Sequence, residues 1–102
     1  MVEINWTAQS LEDIESIAEY ISRDSVKYAN IQVQIFFDSV EILASHPKSG
    51  RIVPETKDSS IREIIVGFYR IIYQIQSKTQ INIITIHHSK RLVRSKVFKK
   101  IS

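Results

Sequence analysis

The sequence predicts an α+β fold of element order β-α-α-β-β-β, a helical hairpin packed on one face of a mostly antiparallel sheet. Three observations carry this expectation. Ile61 to Arg91 contains three β-rich runs separated by turn-length breaks. Before them, apolar residues recur every three or four positions in two blocks between Ala8 and Leu43. A short alternating run, Val2 to Trp6, precedes both and reads as a first strand.

Each element has its local reason. From Thr7 the period changes, and Ala8, Leu11, Ile14, Ile17/Ala18 and Ile21 mark one stripe of an amphipathic helix. Thr7 or Ser10 serves as its N-cap, placing Glu12, Asp13 and Glu15 toward the end where the helix dipole favours anions. Ser22-Arg23-Asp24-Ser25 interrupts the pattern, and Asp24 or Ser25 can cap a second helix. That helix is long, with Ala29, Val33, Phe36, Val40 and Leu43 on one stripe and Ile31, Ile35 and Ile42 widening it. So broad an apolar face calls for a second contact besides the sheet, either helix one or a partner. His46-Pro47 stops the helix, because the residue before a proline avoids the α region. Pro47 to Gly50 then reads as a turn and Arg51 to Ser60 as an irregular loop.

Ile61 to Val66, Phe68/Tyr69 to Gln76 and Ile81 to His88 are the three further strands, broken at Gly67 and at Ser77-Lys78-Thr79-Gln80. Alternation puts Tyr69, Ile71, Tyr73 and Ile75 on the core side of the middle strand and Arg70, Ile72, Gln74 and Gln76 on an open side. In the last strand Asn82 marks the open face, and strict alternation carries His88 to that face beside Arg70.

With 102 residues the chain has material for one core, so residues 1–102 are expected to form a single domain with a basic C-terminal tail at 89–102. No cysteine occurs, which suits a reducing compartment and leaves neither disulfides nor thiolate metal sites. Without a basic-then-apolar leader or a long apolar run, the expected location is cytoplasmic, with no membrane association. The net charge of +3 hides an asymmetry. Residues 1–51 hold eight acids and four bases, whereas residues 52–102 hold three acids and ten bases. A basic half suits a polyanionic or acidic partner; a solvated charged surface is the bland alternative.

Several segments together resemble the RelE/ParE superfamily of type II toxin–antitoxin toxins. Pro47-Lys48-Ser49-Gly50-Arg51-Ile52-Val53-Pro54-Glu55 resembles the family's loop, and Arg62-Glu63-Ile64 with Tyr69-Arg70-Ile71-Ile72-Tyr73 its central strands. Ile86-His87-His88 before Lys90-Arg91 resembles its last strand, and Trp6-Thr7-Ala8 with Leu11, Ile14 and Tyr20-Ile21 its first helix. The resemblance covers nearly the whole chain and implies the same fold as the element order. It also implies a toxin neutralised by a cognate antitoxin, as a toxin dimer or a toxin–antitoxin hetero-oligomer, with no cofactor. ParE-like members poison DNA gyrase; RelE-like members enter the ribosome and cleave mRNA. The glycine-arginine loop and the Arg-Glu, Tyr-Arg spacing are closer to the ParE, or plasmid-stabilisation, branch, with a metal-independent ribosome-dependent endoribonuclease as the alternative. A simple nucleic-acid-binding domain is a third reading.

Under the endoribonuclease reading Arg62, Arg70 and His88 are the catalytic candidates. His88 supplies an acid or base near neutrality, while two strand-borne guanidinium groups grip the phosphate. The structural alternative is that Arg62 and Arg70 pair with acids such as Glu55. Glu63 alternates away from Arg62 and is a weaker base candidate. Arg51, Lys90, Arg91 and Arg94 are the candidates for contacting a target or nucleic acid. Tyr69 and Tyr73 are expected to pack their rings in the core. Adjacent His87 and His88 point to opposite faces of a strand and make a poor ligand pair, so no metal is expected.

Overall fold

The structure, a computed structural model, describes residues 1–89. Residues 90–102 of the C-terminal tail, with Lys90, Arg91 and Arg94, lie outside the described residues. Strand β1 (Glu3–Trp6) leads into helices α1 (Ala8–Ser22) and α2 (Val26–Ser39) and a 3-10 turn (Glu41–Ala44). Strands β2 (Arg51–Ile52), β3 (Ile61–Val66), β4 (Tyr69–Ile75) and β5 (Gln80–His88) follow. The five strands lie in the order β1-β5-β4-β3-β2. β1 runs parallel to β5, and every other pair is antiparallel. The expected α+β architecture, two helices on a mostly antiparallel sheet, is what the chain adopts.

Thr7 is the residue that caps α1. Its hydroxyl oxygen accepts from the Ser10 amide at 3.2 Å and donates to the Ile83 carbonyl at 2.7 Å. One side chain therefore both starts the helix and ties it to β5. Thr7→Ala is expected to cost about 1–2 kcal/mol, with Thr7→Ser recovering most of it, as read from denaturant midpoints. Equal midpoints for Thr7→Ala and the parent would contradict this role. The acids expected at the helix start fall beyond the first turn, which contains none. The dipole acts over that first turn only, and Asp13 has another partner: it accepts from the Thr85 hydroxyl and from the Ile86 amide at 3.0 Å, clamping α1 to β5. Ser25 caps α2 by accepting from the Tyr28 amide at 3.1 Å.

α2 is shorter than its apolar stripe. Ser39 turns its hydroxyl back to the Ile35 carbonyl at 2.6 Å, a bond that competes with the helical ladder. The chain then tightens into the 3-10 turn, whose period of three still lays Val40 and Leu43 into the core. The helix thus ends well before Pro47, the expected stop.

Two apolar clusters fill the two sides of the sheet. Under the helices Ile14, Phe36, Val40 and Leu43 meet Ile71, Tyr73, Ile81, Ile83 and Ile86. On the other side Val53, Ile61, Ile72 and Ile84 form a smaller cluster. This second cluster corrects the expectation of an open face and of an irregular loop from Arg51 to Ser60. Arg51 and Ile52 add the edge strand β2, and Val53 behind them is wholly buried. The physical reason is that Ile72 and Ile84 are too apolar to stay wet.

Candidate functional site

The covered face of the sheet carries a chain of four charges. β3 and β4 pair so that Glu63 stands across from Ile72 and Ile65 across from Arg70. Glu63 and Arg70 therefore share a face, and both are buried. The Arg70 guanidinium meets Glu55 in a two-pronged contact, Nη1 to Oε2 at 2.8 Å and Nη2 to Oε1 at 3.0 Å. Its Nη2 also donates to Glu63 Oε1 at 2.5 Å. The other oxygen of Glu63 accepts from Arg51, through Nε at 3.2 Å and Nη2 at 3.0 Å. The hydrogen bonds to Glu55, reinforced by Glu63, hold the Arg70 guanidinium above the ordinary arginine pKa although burial opposes them. The structural alternative foreseen for Arg70, pairing with Glu55, is the arrangement present.

Arg62 is on the opposite face, across from Tyr73. Its guanidinium donates to the carbonyls of Ser59 at 3.0 Å, Gly50 at 2.9 Å and Lys48 at 3.4 Å. It stitches the loops on either side of β2 together. Arg62 and Arg70 cannot grip one phosphate between them, because alternation along paired strands sends them through opposite sides of the sheet.

The histidines show where strict alternation breaks. Asn82 does share the Arg70 face, standing across from Gln74. A β-bulge then intervenes: Tyr73 pairs with Ile83 but Ile72 pairs with Thr85, leaving Ile84 as an extra residue. One extra residue reverses the parity of everything after it. His87 consequently stands across from Arg70, and His88 across from Tyr69 on the helix side. This overturns the placement of His88 beside Arg70. The His88 ring stacks on exposed Phe68 at 6.4 Å between centroids and meets the edge of Tyr69 at 6.1 Å. Nearby, Asp13, Tyr20, Tyr69 and both histidines line a cleft of about 480 Å³. His88 and Arg62 share the helix side but flank β4 on different strands, opposite Tyr69 and Tyr73, which are themselves roughly 13 Å apart along β4 at the rise of a strand. The three catalytic candidates are not brought together. Among the described residues, no group of three or more His, Asp or Glu side chains is placed to hold a metal ion.

A different feature stands out on the helical side. Tyr28, Ile31, Ile35 and Ile42 are exposed by 65%, 42%, 41% and 53%, forming an apolar stripe along the outside of α2 and the turn after it. The breadth of the apolar pattern in the sequence was the signal for this surface, which the sheet leaves uncovered. None of the described helices is long and apolar enough to cross a membrane.

Comparison with known proteins adds a family match and matches among solved structures. The family model described as "ParE toxin of type II toxin-antitoxin system, parDE" matches residues 4–93. Among solved structures, one described as "Chromosomal ParDE TA system from P. aeruginosa" superposes with a TM-score of 0.72 at 19% identity, covering 88% of this chain and 98% of that one. At that identity the superposition speaks for the fold. No curated protein matches the chain.

Proposed function

This chain belongs to the ParE toxin family of type II toxin–antitoxin systems, and from that premise we propose that it acts by binding an essential target, DNA gyrase. In this reading it arrests growth in the cytoplasm until a cognate antitoxin neutralises it in a toxin–antitoxin hetero-oligomer. The observation that favours binding over RNA cleavage is the separation of Arg62, Arg70 and His88. Metal-independent cleavage needs an acid or base and fixed cations around one phosphate. Here one arginine is neutralised by two carboxylates and the other is spent on carbonyls.

The antitoxin has a candidate seat in the apolar stripe of α2, since a patch of this kind on a small protein calls for a cover. Ile35→Asp is expected to weaken antitoxin affinity on the order of tenfold or more while leaving the folded state intact, measured by titration calorimetry and circular dichroism. The defining experiment is induction in a bacterial host. Growth should stop, co-expression of the neighbouring small gene should restore it, and purified protein should block supercoiling by gyrase. The rival endoribonuclease reading requires ribosome-dependent mRNA cleavage that His88→Ala abolishes. Observing such cleavage, with gyrase unaffected, would overturn the binding mechanism.

A further inference from the structure

We propose that Arg70 is the centre of an anion-binding site that the unbound chain fills with its own Glu55, and that a carboxylate from an acidic segment of a partner protein displaces. The proposal does not depend on whether that partner is antitoxin or target. It starts from the inequality of the two acids that Arg70 holds. The Glu63 side chain is fully buried, belongs to a central strand, and is shared with Arg51. Glu55 keeps 20% of its side chain exposed and sits in the connection between β2 and β3. It follows Pro54, and two residues later Lys57 adopts a left-handed φ of 57°, a conformation that costs a non-glycine residue some strain.

The anchor of this connection is separate from the acid. Val53, wholly buried against Ile61, Ile72 and Ile84, holds the segment to the sheet. The Glu55 side chain can therefore swing away while Val53 stays seated. Exchange of one carboxylate for another then conserves both bonds to the guanidinium, so the burial of Arg70 is never left uncompensated.

Charge and shape select the incoming group. Among the described residues, the cluster without Glu55 consists of two arginines and one glutamate, a net +1, and a single carboxylate restores neutrality. A phosphate dianion would be placed beside the buried Glu63 carboxylate and overcompensate. The vacated slot is two parallel N–H groups wide, the fork that a planar carboxylate fits. Arg51 has a side chain 65% exposed and extends the cationic rim to the surface where a partner arrives.

The test uses the full chain carrying Glu55→Gln, which keeps the side-chain shape and removes its charge. Acetate is titrated against chloride at matched ionic strength, following the thermal midpoint and the ¹H–¹⁵N signal of the Arg70 guanidinium. Glu55→Gln should show a saturable shift of that signal and a recovery of the midpoint. Half-saturation should come at a concentration roughly tenfold or more below that needed by the parent, in which tethered Glu55 competes. A glutamate-rich peptide should act at lower concentration than acetate, whereas inorganic phosphate and a single-stranded oligonucleotide should not. If Glu55→Gln does not fold, Glu55→Asp, whose shorter arm withdraws the charge, takes its place in the same titration. Absence of any anion-specific shift would reduce Glu55 to a structural ion-pair partner. A stronger response to phosphate or oligonucleotide than to carboxylate would overturn the assignment of the occupant.

Discussion

Glu63→Ala is expected to destabilise the protein by about 3–5 kcal/mol, the cost typical of removing one partner from a buried ion pair. Glu63 is the hinge of the four-charge cluster: its two oxygens serve two arginines, and none of its side chain reaches solvent. Without it, the buried Arg70 loses one of its carboxylates, and a cavity opens beside Ile72. Arg51→Ala provides the internal contrast. The same carboxylate loses a partner, but that partner is mostly in water, so the expected cost is below about 1 kcal/mol. Urea denaturation of the two variants measures the difference. Equal losses would mean that burial is not what gives the cluster its weight.

Gly50→Ala is the second large effect, expected to cost about 3 kcal/mol, at the upper end for overpacking. A Cβ on Gly50 would lie 2.6 Å from the Glu63 carbonyl oxygen, 2.6 Å from the Tyr73 hydroxyl and 2.7 Å from Tyr73 Cε1. A strand carbonyl cannot step aside, and Tyr73 is completely buried. The close approach has a purpose: the Tyr73 hydroxyl donates to the Pro47 carbonyl at 2.7 Å and accepts from the Gly50 amide at 3.0 Å. Tyr73→Phe, which leaves both loop groups unsatisfied, should cost about 1–3 kcal/mol. The two losses should not add in the double variant, because both act through one contact. Burial pushes the Tyr73 phenol above its ordinary pKa. The folded chain thus keeps a proton that the unfolded chain releases near pH 10, so this contribution is present below that pH and declines above it. Tyr73→Phe should lack that alkaline decline in a pH series of midpoints.

Much of the fold was legible because it rests on local periodicity. The stripe Ala29, Val33, Phe36, Val40, Leu43 packs inward as its spacing demands, even though the chain changes from α-helix to 3-10 turn along it. The core side of β4 was legible for the same reason, as Ile71 and Tyr73 are wholly buried. Gly50 and Arg62 were visible as motif residues, but their partners were not: a clash with a strand carbonyl and three bonds to loop carbonyls depend on atoms distant in sequence. β2 was missed because two residues carry no readable alternation.

By itself, then, the sequence determined the order of the elements, the apolar face of each, and an apolar surplus on α2 that the sheet does not cover. Those properties follow from side-chain period along a single segment. Which charged groups meet was decided by the tertiary structure. Ile84, one residue added between two pairs of the β4–β5 ladder, moved His88 from the side of Arg70 to the side of Tyr69. Strand pairing likewise placed Glu63 with Arg70 and turned Arg62 away. Register is a relation between strands, and a single bulge reverses it without leaving a mark in the pattern of either.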